Sequence, residues 1–548
     1  MLVSILSLVL LLSPQVNGAS IEGQVVRSTN GEAVVRAAVL LSKIGGPLSD
    51  YRATVSDDKG AFAFRGMPAG RYRVYAQRDD YLNAEYGQAG ASPTGEPITL
   101  KSNEALRGIT VTMTPTGVIT GRVSDNQGNP ARDVWVYALR PRYIDGQRTL
   151  EPLQPVFKTD DLGEYRLFGL PPGSYFVSAA PPDPPRIENE NYVVSHPQTP
   201  TGGYFRVIRP PTRTPAADAL VAGILDPSAL GADVDRQTFY PRTTDAKAAL
   251  PVVVRPGETV GGVNLRIIRE KVVNVRGRVL NGESVLLSLV DPASGGSVVT
   301  TRSTAGGAFL FSKVAPGSYE IRASSQGMRA RVPILVGSQD LDSVSVPLQT
   351  FVTIEGRLRI EGRIEGEQPA SIGVELDPGP RNALRSDKPT AIETLGAGEY
   401  LISLQIFQPQ IYVKSLRLGA TEVRNARLQI DRQPGPLEVV LAADGGKASG
   451  RVVDAARKPA PGSRVALVPE PSLRTRFDLY RSAIANNAGE WEIQGIAPGE
   501  YKVFAWERID ADAWQDPEVL RPYENQGVRL IVRPRDNNEL TLRVIPSP

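Results

Sequence analysis

The sequence predicts an all-β protein, a tandem array of about five antiparallel Greek-key β-sandwich domains. Three observations predict it. A short glycine-centred strand recurs five times, strands of alternating apolar residues follow each recurrence, and 52 glycines and 46 prolines punctuate a chain with few helix-forming runs. Period-two alternation buries one face of a strand, and frequent turn residues keep the strands short.

The opening strand is Ile21-Glu22-Gly23-Gln24-Val25, Ile119-Thr120-Gly121-Arg122-Val123, Val275-Arg276-Gly277-Arg278-Val279, Ile354-Glu355-Gly356-Arg357-Leu358 and Ala448-Ser449-Gly450-Arg451-Val452. Apolar residues flank each glycine at two positions' distance, and a glycine inside a strand marks a bulge or a close backbone approach. A second strand follows at Val39-Leu40-Leu41, Val134-Trp135-Val136, Val285-Leu286-Leu287, Ile372–Leu376 and Val465-Ala466-Leu467. Next comes a turn and an aromatic strand: Asp57-Asp58-Lys59-Gly60-Ala61-Phe62, Asp160-Asp161-Leu162-Gly163-Glu164-Tyr165, Ala305-Gly306-Gly307-Ala308-Phe309 and Asn487-Ala488-Gly489-Glu490-Trp491. Asp or Asn ahead of glycine suits a hairpin turn. A Pro/Gly turn then leads to a tyrosine strand with Tyr72, Tyr175, Tyr319 and Tyr501. In the fourth unit Gly398-Glu399-Tyr400 fits either the aromatic or the tyrosine strand. Each unit closes on an alternating strand such as Ile109/Val111/Met113 or Leu540/Leu542/Val544.

These marks divide the chain into a signal peptide (1–18) and sandwiches at 19–115, 116–270, 271–349, 350–443 (degenerate) and 444–548. The second sandwich carries a Pro-rich insertion at 181–238, opened by Pro181-Pro182-Asp183-Pro184-Pro185. The linkers between units are a few residues, which predicts restricted hinges and an elongated, semi-rigid array. The apolar run Leu2–Leu12 and the small residues before Ala19 read as a signal peptide cut after Gly18, so the expected location is outside the cytoplasm: periplasmic, secreted or cell-surface. The run is short for a membrane span, and no other segment is long and apolar enough for a membrane helix.

Composition excludes several chemistries. There are no cysteines and one histidine, His196, so disulfides, thiolate metal sites, multi-histidine metal sites and cysteine nucleophiles are ruled out. Lys+Arg 62 against Asp+Glu 59 leaves a formal charge of +3 without a basic run, which gives no electrostatic case for nucleic acid. No cofactor or metal is expected. Asp57-Asp58 and Asp160-Asp161 resemble calcium ligands only superficially, because Ala305 and Asn487 replace the second acid in other units and Ca²⁺ requires 6–8 oxygens.

The order Gly-Arg-Val, then Asp-x-x-Gly-x-aromatic, then Pro-Gly-x-Tyr-x-Val resembles carboxypeptidase regulatory-like domains, over about 20–548. The resemblance implies a prealbumin-like, carbohydrate-binding-like sandwich, multi-repeat exported proteins of Gram-negative bacteria, and no peptidase activity. A zinc carboxypeptidase would need His-x-x-Glu, whereas His196 precedes Pro197-Gln198-Thr199. Adhesin B-type repeats, which share the fold, form a Lys–Asn isopeptide bond with the help of a Glu after the tyrosine. Here that position holds Ala76, Ala179, Ala323 and Ala505.

The expected function is a non-catalytic exported binding or scaffold protein, its partner a polysaccharide or an extracellular or envelope protein. Rival readings are an accessory module of an outer-membrane uptake or assembly system and a glycosidase using carboxylates alone. The expected ligand-binding residues are aromatics outside the repeat pattern, Trp506, Trp514 and Tyr523. The alternative for them is a loop packed over the sandwich end.

Overall fold

The structure, a computed structural model, describes residues 18–46, 51–88, 95–144, 146–180, 234–291, 297–325, 327–362, 371–377, 381–394, 396–406 and 408–546. The apolar leader, His196 and the insertion as far as residue 233 lie outside the described residues. The last part of the insertion is sandwich: Val234–Arg236 pairs with Ile268–Glu270, and Thr238 pairs with the tyrosine strand at Ala179.

Each unit is two packed sheets with its own core. In the first, the opening strand Ala19–Arg27 lies between the aromatic strand Ala61–Met67 and the closing strand Ala105–Met113. The second strand Ala38–Lys43 and the tyrosine strand Gly70–Gln77 form the centre of the facing sheet. Ile21, Val25, Val39, Leu41, Phe62, Phe64, Tyr72 and Val111 fill the space between, all under a tenth exposed. Opening strands at Gly117–Ser124, Val273–Leu280, Thr353–Glu361 and Gly446–Val453 repeat the arrangement. One pairing in every unit is parallel, that of the opening with the closing strand. The chain has crossed to the other sheet between them and returns in the same direction.

The parallel neighbour explains the glycine. A Cβ at Gly23, Gly121, Gly277 or Gly450 would stand 1.8–2.1 Å from the carbonyl oxygen of Ile109, Val263, Val344 or Leu540. No side chain fits there without moving the closing strand. The turn residues are accounted for as well. The Oδ1 atom of Asp57 accepts from the N–H groups of Lys59 and Ala61, and Asp160 and Asn486 do the same in their units. These acids serve the backbone.

The fourth unit's ambiguity is resolved by two observations. Gly398–Gln405 pairs with Ser371–Asp377 and Arg427–Ile430, as the tyrosine strand of the last unit pairs with Arg464–Pro469 and Val528–Val532. The Tyr400 hydroxyl donates to the carbonyl of Gly396 four residues back (2.8 Å), as Tyr72 does to Pro68 (2.7 Å) and Tyr501 to Ala497 (2.9 Å). It is the tyrosine strand. The unit's aromatic strand is the short Thr390–Glu393, and Leu384 and Ile392 occupy the space beside Gly356 that a ring fills elsewhere.

The expectation of an elongated array is corrected. The last unit touches three others. Against the fourth, Arg481 donates to the carbonyl of Ile411 and Thr475 to that of Asn425, while Tyr412 and Ala442 enter the last unit's core. Against the first, the Asn487 amide bonds to Gly87 O (2.9 Å) and Glu96. Against the second, the turn Ala513–Gln515 lies on the strand Trp135–Ile144, and a Cβ at Gly146 would meet Gln515 O at 3.1 Å. Short linkers restrict hinges, but they do not dictate straight ones.

That contact carries a half-buried carboxylate. Burial raises the Asp512 pKa above the usual aspartate value, and Arg464 of its own unit and Arg142 of the second unit offset this only in part. A raised carboxyl pKa stabilises the docked state most below the ordinary aspartate value of about 3.9 and loses that contribution as pH rises through the raised value. The expected result is a radius of gyration by small-angle scattering that grows as pH rises above the ordinary aspartate value. Asp512→Asn should flatten that change, and a wild-type radius constant across the range would refute it.

Candidate ligand-binding site

The aromatics singled out from the sequence are in the last unit, but they are not a platform. Trp506 and Trp514 are each 1% exposed. Trp506 stacks on Phe504 (ring centroids 5.2 Å, 14°) and Trp514 (6.3 Å, 18°), and Tyr523 closes edge-on at 5.8 Å. Arg464 covers Trp514 with its guanidinium 5.6 Å from the ring centroid. Tyr523 is half-buried in the same cluster. The physical reason is that this unit's second sheet is apolar on both faces: Val465 and Leu467 point into the sandwich, while Ala466, Val468, Phe504 and Trp506 point out of it. The segment 507–527 folds over that outer face and covers it. Neither indole offers an open face to a sugar.

The repeat's own aromatics are structural. Phe62, Tyr165, Phe309 and Trp491 are 4–5% exposed, and Tyr72, Tyr175, Tyr319 and Tyr501 are 0–5%. Ala76, Ala179, Ala323 and Ala505, where an isopeptide-forming repeat would hold its acid, are buried core positions.

Accessible aromatics are Tyr51 of the first unit, 49% exposed, and a group on the second unit. Val134-Trp135-Val136 puts both valines inward and Trp135 outward, half-buried. Lys158 lies directly across the strand pair from Trp135, its ammonium 4.5 Å from the ring centroid. The neighbouring Phe157 meets Phe168 at 4.7 Å and 52°, Phe168 is 42% exposed, and Arg166 stands over its ring at 5.3 Å. Beside these runs a groove of about 760 Å³ along the outer face of the sheet that holds the opening strand, lined among others by Thr120, Arg122, Phe157, Lys158, Arg166 and Asn264. Trp135 and Phe168 were legible as outward residues, since each stands one place off the buried alternation. Their position inside repeat strands hid them.

The groove does not have the layout of a glycosidase. That chemistry needs one carboxylic acid and one carboxylate facing each other across the scissile bond. Asp160 is held by the turn N–H groups, and Glu164 is paired with Arg122 (2.8 Å). Among the described residues no three His, Cys, Asp or Glu side chains are grouped to hold a metal ion, and no helix is long and apolar enough to cross a membrane.

Residues 20–114 match the family model of the carboxypeptidase regulatory-like domain, over the strands that build the first sandwich. The first unit is a carboxypeptidase regulatory-like domain. Residues 267–333, around the third unit, match that of the BOS complex subunit NOMO1-like, second beta sandwich domain. The order aromatic, opening, closing strand seen in the first unit recurs in the remaining units, the fourth adding Tyr412–Leu418 beyond its closing strand. No curated protein matches the sequence. Among solved structures the chain is similar to the Bacillus anthracis TIE protein, with 13% identity and a TM-score of 0.16 over 61% of this chain; it spans half the length of that protein. It is also similar to a streptococcal ancillary pilin (12%, TM-score 0.21, 60% of this chain and 99% of the pilin). A third is two B repeat units of the collagen binding protein of Staphylococcus aureus (11%, TM-score 0.14, 77% of this chain and 99% of the repeats).

Proposed function

We propose that the chain is a non-catalytic, exported binding protein whose sandwiches are a scaffold and whose second unit presents a carbohydrate-binding groove. One observation carries the reading: half-buried Trp135 and exposed Phe168 stand next to a groove lined by Phe157, Lys158 and other hydrogen-bonding side chains, in a molecule that buries the aromatic rings of its repeat. A pyranose ring has an apolar face of C–H groups and a polar rim of hydroxyls. An aromatic surface bordered by Asn264, Thr120 and charged side chains matches both.

The test is a glycan array probed with the mature protein and with Phe168→Ala. Phe168 is well exposed, so its truncation should leave the fold intact, and loss of a central aromatic contact should weaken binding about tenfold or more. An array on which nothing is retained, or on which the variant binds as well as the parent, would overturn the assignment.

A further inference from the structure

The groove has a counterpart. In the first unit a groove of about 640 Å³ occupies the same place against the opening glycine, lined among others by Glu22, Gly23, Gln24, Thr54, Asp57 and Arg65. Position by position, Gly23 corresponds to Gly121, Thr54 to Phe157, Asp57 to Asp160 and Arg65 to Phe168, counted from the shared glycine and the shared turn.

The second groove has an excess of cations, Arg122, Lys158 and Arg166 against Asp160 and Glu164, whereas in the first Arg65 and Arg107 balance Glu22 and Asp57; each groove nonetheless holds at least one cation without a carboxylate of its own. Their acids are engaged: Asp57 and Asp160 by backbone N–H groups, Glu22 by Arg107 (3.4 Å) and Glu164 by Arg122. Arg65, Lys158 and Arg166 have no carboxylate partner among the described residues. In the second unit the two cations rest on Trp135 and Phe168, so a ligand on those rings meets positive charge at the same time. The two grooves are also held in a fixed relation. Only residues 114–116 separate the closing strand of the first unit from the opening strand of the second, and they are tied down by a Tyr81–Pro115 bridge and by the N–H of Thr116 on Asp80 O (2.8 Å).

We infer that the ligand is an anionic polysaccharide of uronic-acid type and that one polymer chain engages both grooves, an inference that rests on the carbohydrate reading above. Carboxylate groups along the polymer pair with Arg65, Lys158 and Arg166, while the C–H face of a sugar lies on the rings of the second unit. Two modest sites on one stiffly jointed pair of units reinforce each other, because occupation of the first raises the effective concentration at the second.

The experiment uses the full mature chain and three probes: polygalacturonate, the same polymer fully methyl-esterified, and dextran. The free acid should bind with an affinity that falls as salt rises, and the ester and dextran about tenfold or more weaker. Lys158→Ala with Arg166→Ala should bring the free acid down to the level of the ester. Arg65→Ala should weaken the long polymer but not an oligomer short enough to fill one groove. All three residues are exposed, so the variants keep the fold. Equal binding of free acid and ester overturns the anionic specificity and leaves the carbohydrate reading standing. An Arg65→Ala effect of equal size on short and long ligands overturns the two-groove arrangement. No binding to any of the three probes, with a glycan array equally blank, removes both readings.

Discussion

Gly450→Ala is expected to unfold the last unit selectively, at a cost of about 3 kcal/mol or more. Two effects add. The new methyl would sit 1.8 Å from the carbonyl oxygen of Leu540 and 2.7 Å from its carbon, which are backbone atoms of the closing strand and cannot rotate away. The backbone at Gly450 has φ of +152°, a conformation that side-chain-bearing residues rarely adopt. Relief requires parting the parallel pair between Gly446–Val453 and Asn537–Arg543. Three of the four tryptophans, Trp491, Trp506 and Trp514, are in this unit, so denaturant unfolding followed by tryptophan fluorescence reports on it directly. The fourth unit supplies the control. A methyl at Gly356 meets only the side-chain ends of Leu384 and Ile392, which have other rotamers, so Gly356→Ala should cost clearly less. A last-unit midpoint unmoved by Gly450→Ala would show that the closing strand can be displaced at little cost, against the geometry.

The repeat was legible in the sequence because its causes are local. A glycine is demanded by a carbonyl two ångströms from its missing side chain, an Asp or Asn by two turn N–H groups, and a tyrosine by a carbonyl four residues back. Each leaves a fixed residue at a fixed offset. The site was less legible because it depends on which face of a strand is covered, and period two alone does not decide that. Trp506 stood outside the inward alternation, as an exposed ligand-binding residue would. What marked it as buried was the run Val503-Phe504-Ala505-Trp506, apolar on both faces, opposite Val465-Ala466-Leu467-Val468. Such a sheet must be covered on its second side, and the cover is the segment that carries Trp514 and Tyr523. Trp135 is the reverse case. The outer face of its sheet is apolar further along, where Tyr137, Leu139, Phe176 and Phe239 cluster, but Trp135 stands at the start of the strand beside Lys158 and stays half-exposed. The contacts of the last unit with the first and second had no local signal at all, since they join residues hundreds of positions apart.

That covering segment gives the other large effect. Trp514→Ala should cost about 3–5 kcal/mol, the range for deleting a buried aromatic side chain. Trp514 is 1% exposed, lies between the guanidinium of Arg464 and the ring of Trp506, and anchors the turn that rests on the second unit. The loss should fall on the cover and not on the sandwich beneath. Trp491, Val503 and Leu542 pack on the opposite face of the same sheet and share no contact cluster with Trp514. Three observations should therefore come together: faster proteolysis within 507–527, a larger radius of gyration as the second unit loses its contact with Gln515, and a sandwich core that still unfolds cooperatively. Trp514→Phe keeps a stacked ring in the slot and should retain most of the docking. If Trp514→Ala instead melts the entire unit in one transition, cover and sandwich are one cooperative body, and the docked segment cannot move independently of it. If it leaves the fold and the dimensions unchanged but abolishes polysaccharide binding, the ligand site belongs to the last unit after all, and the outward rings of Trp135 and Phe168 are surface decoration.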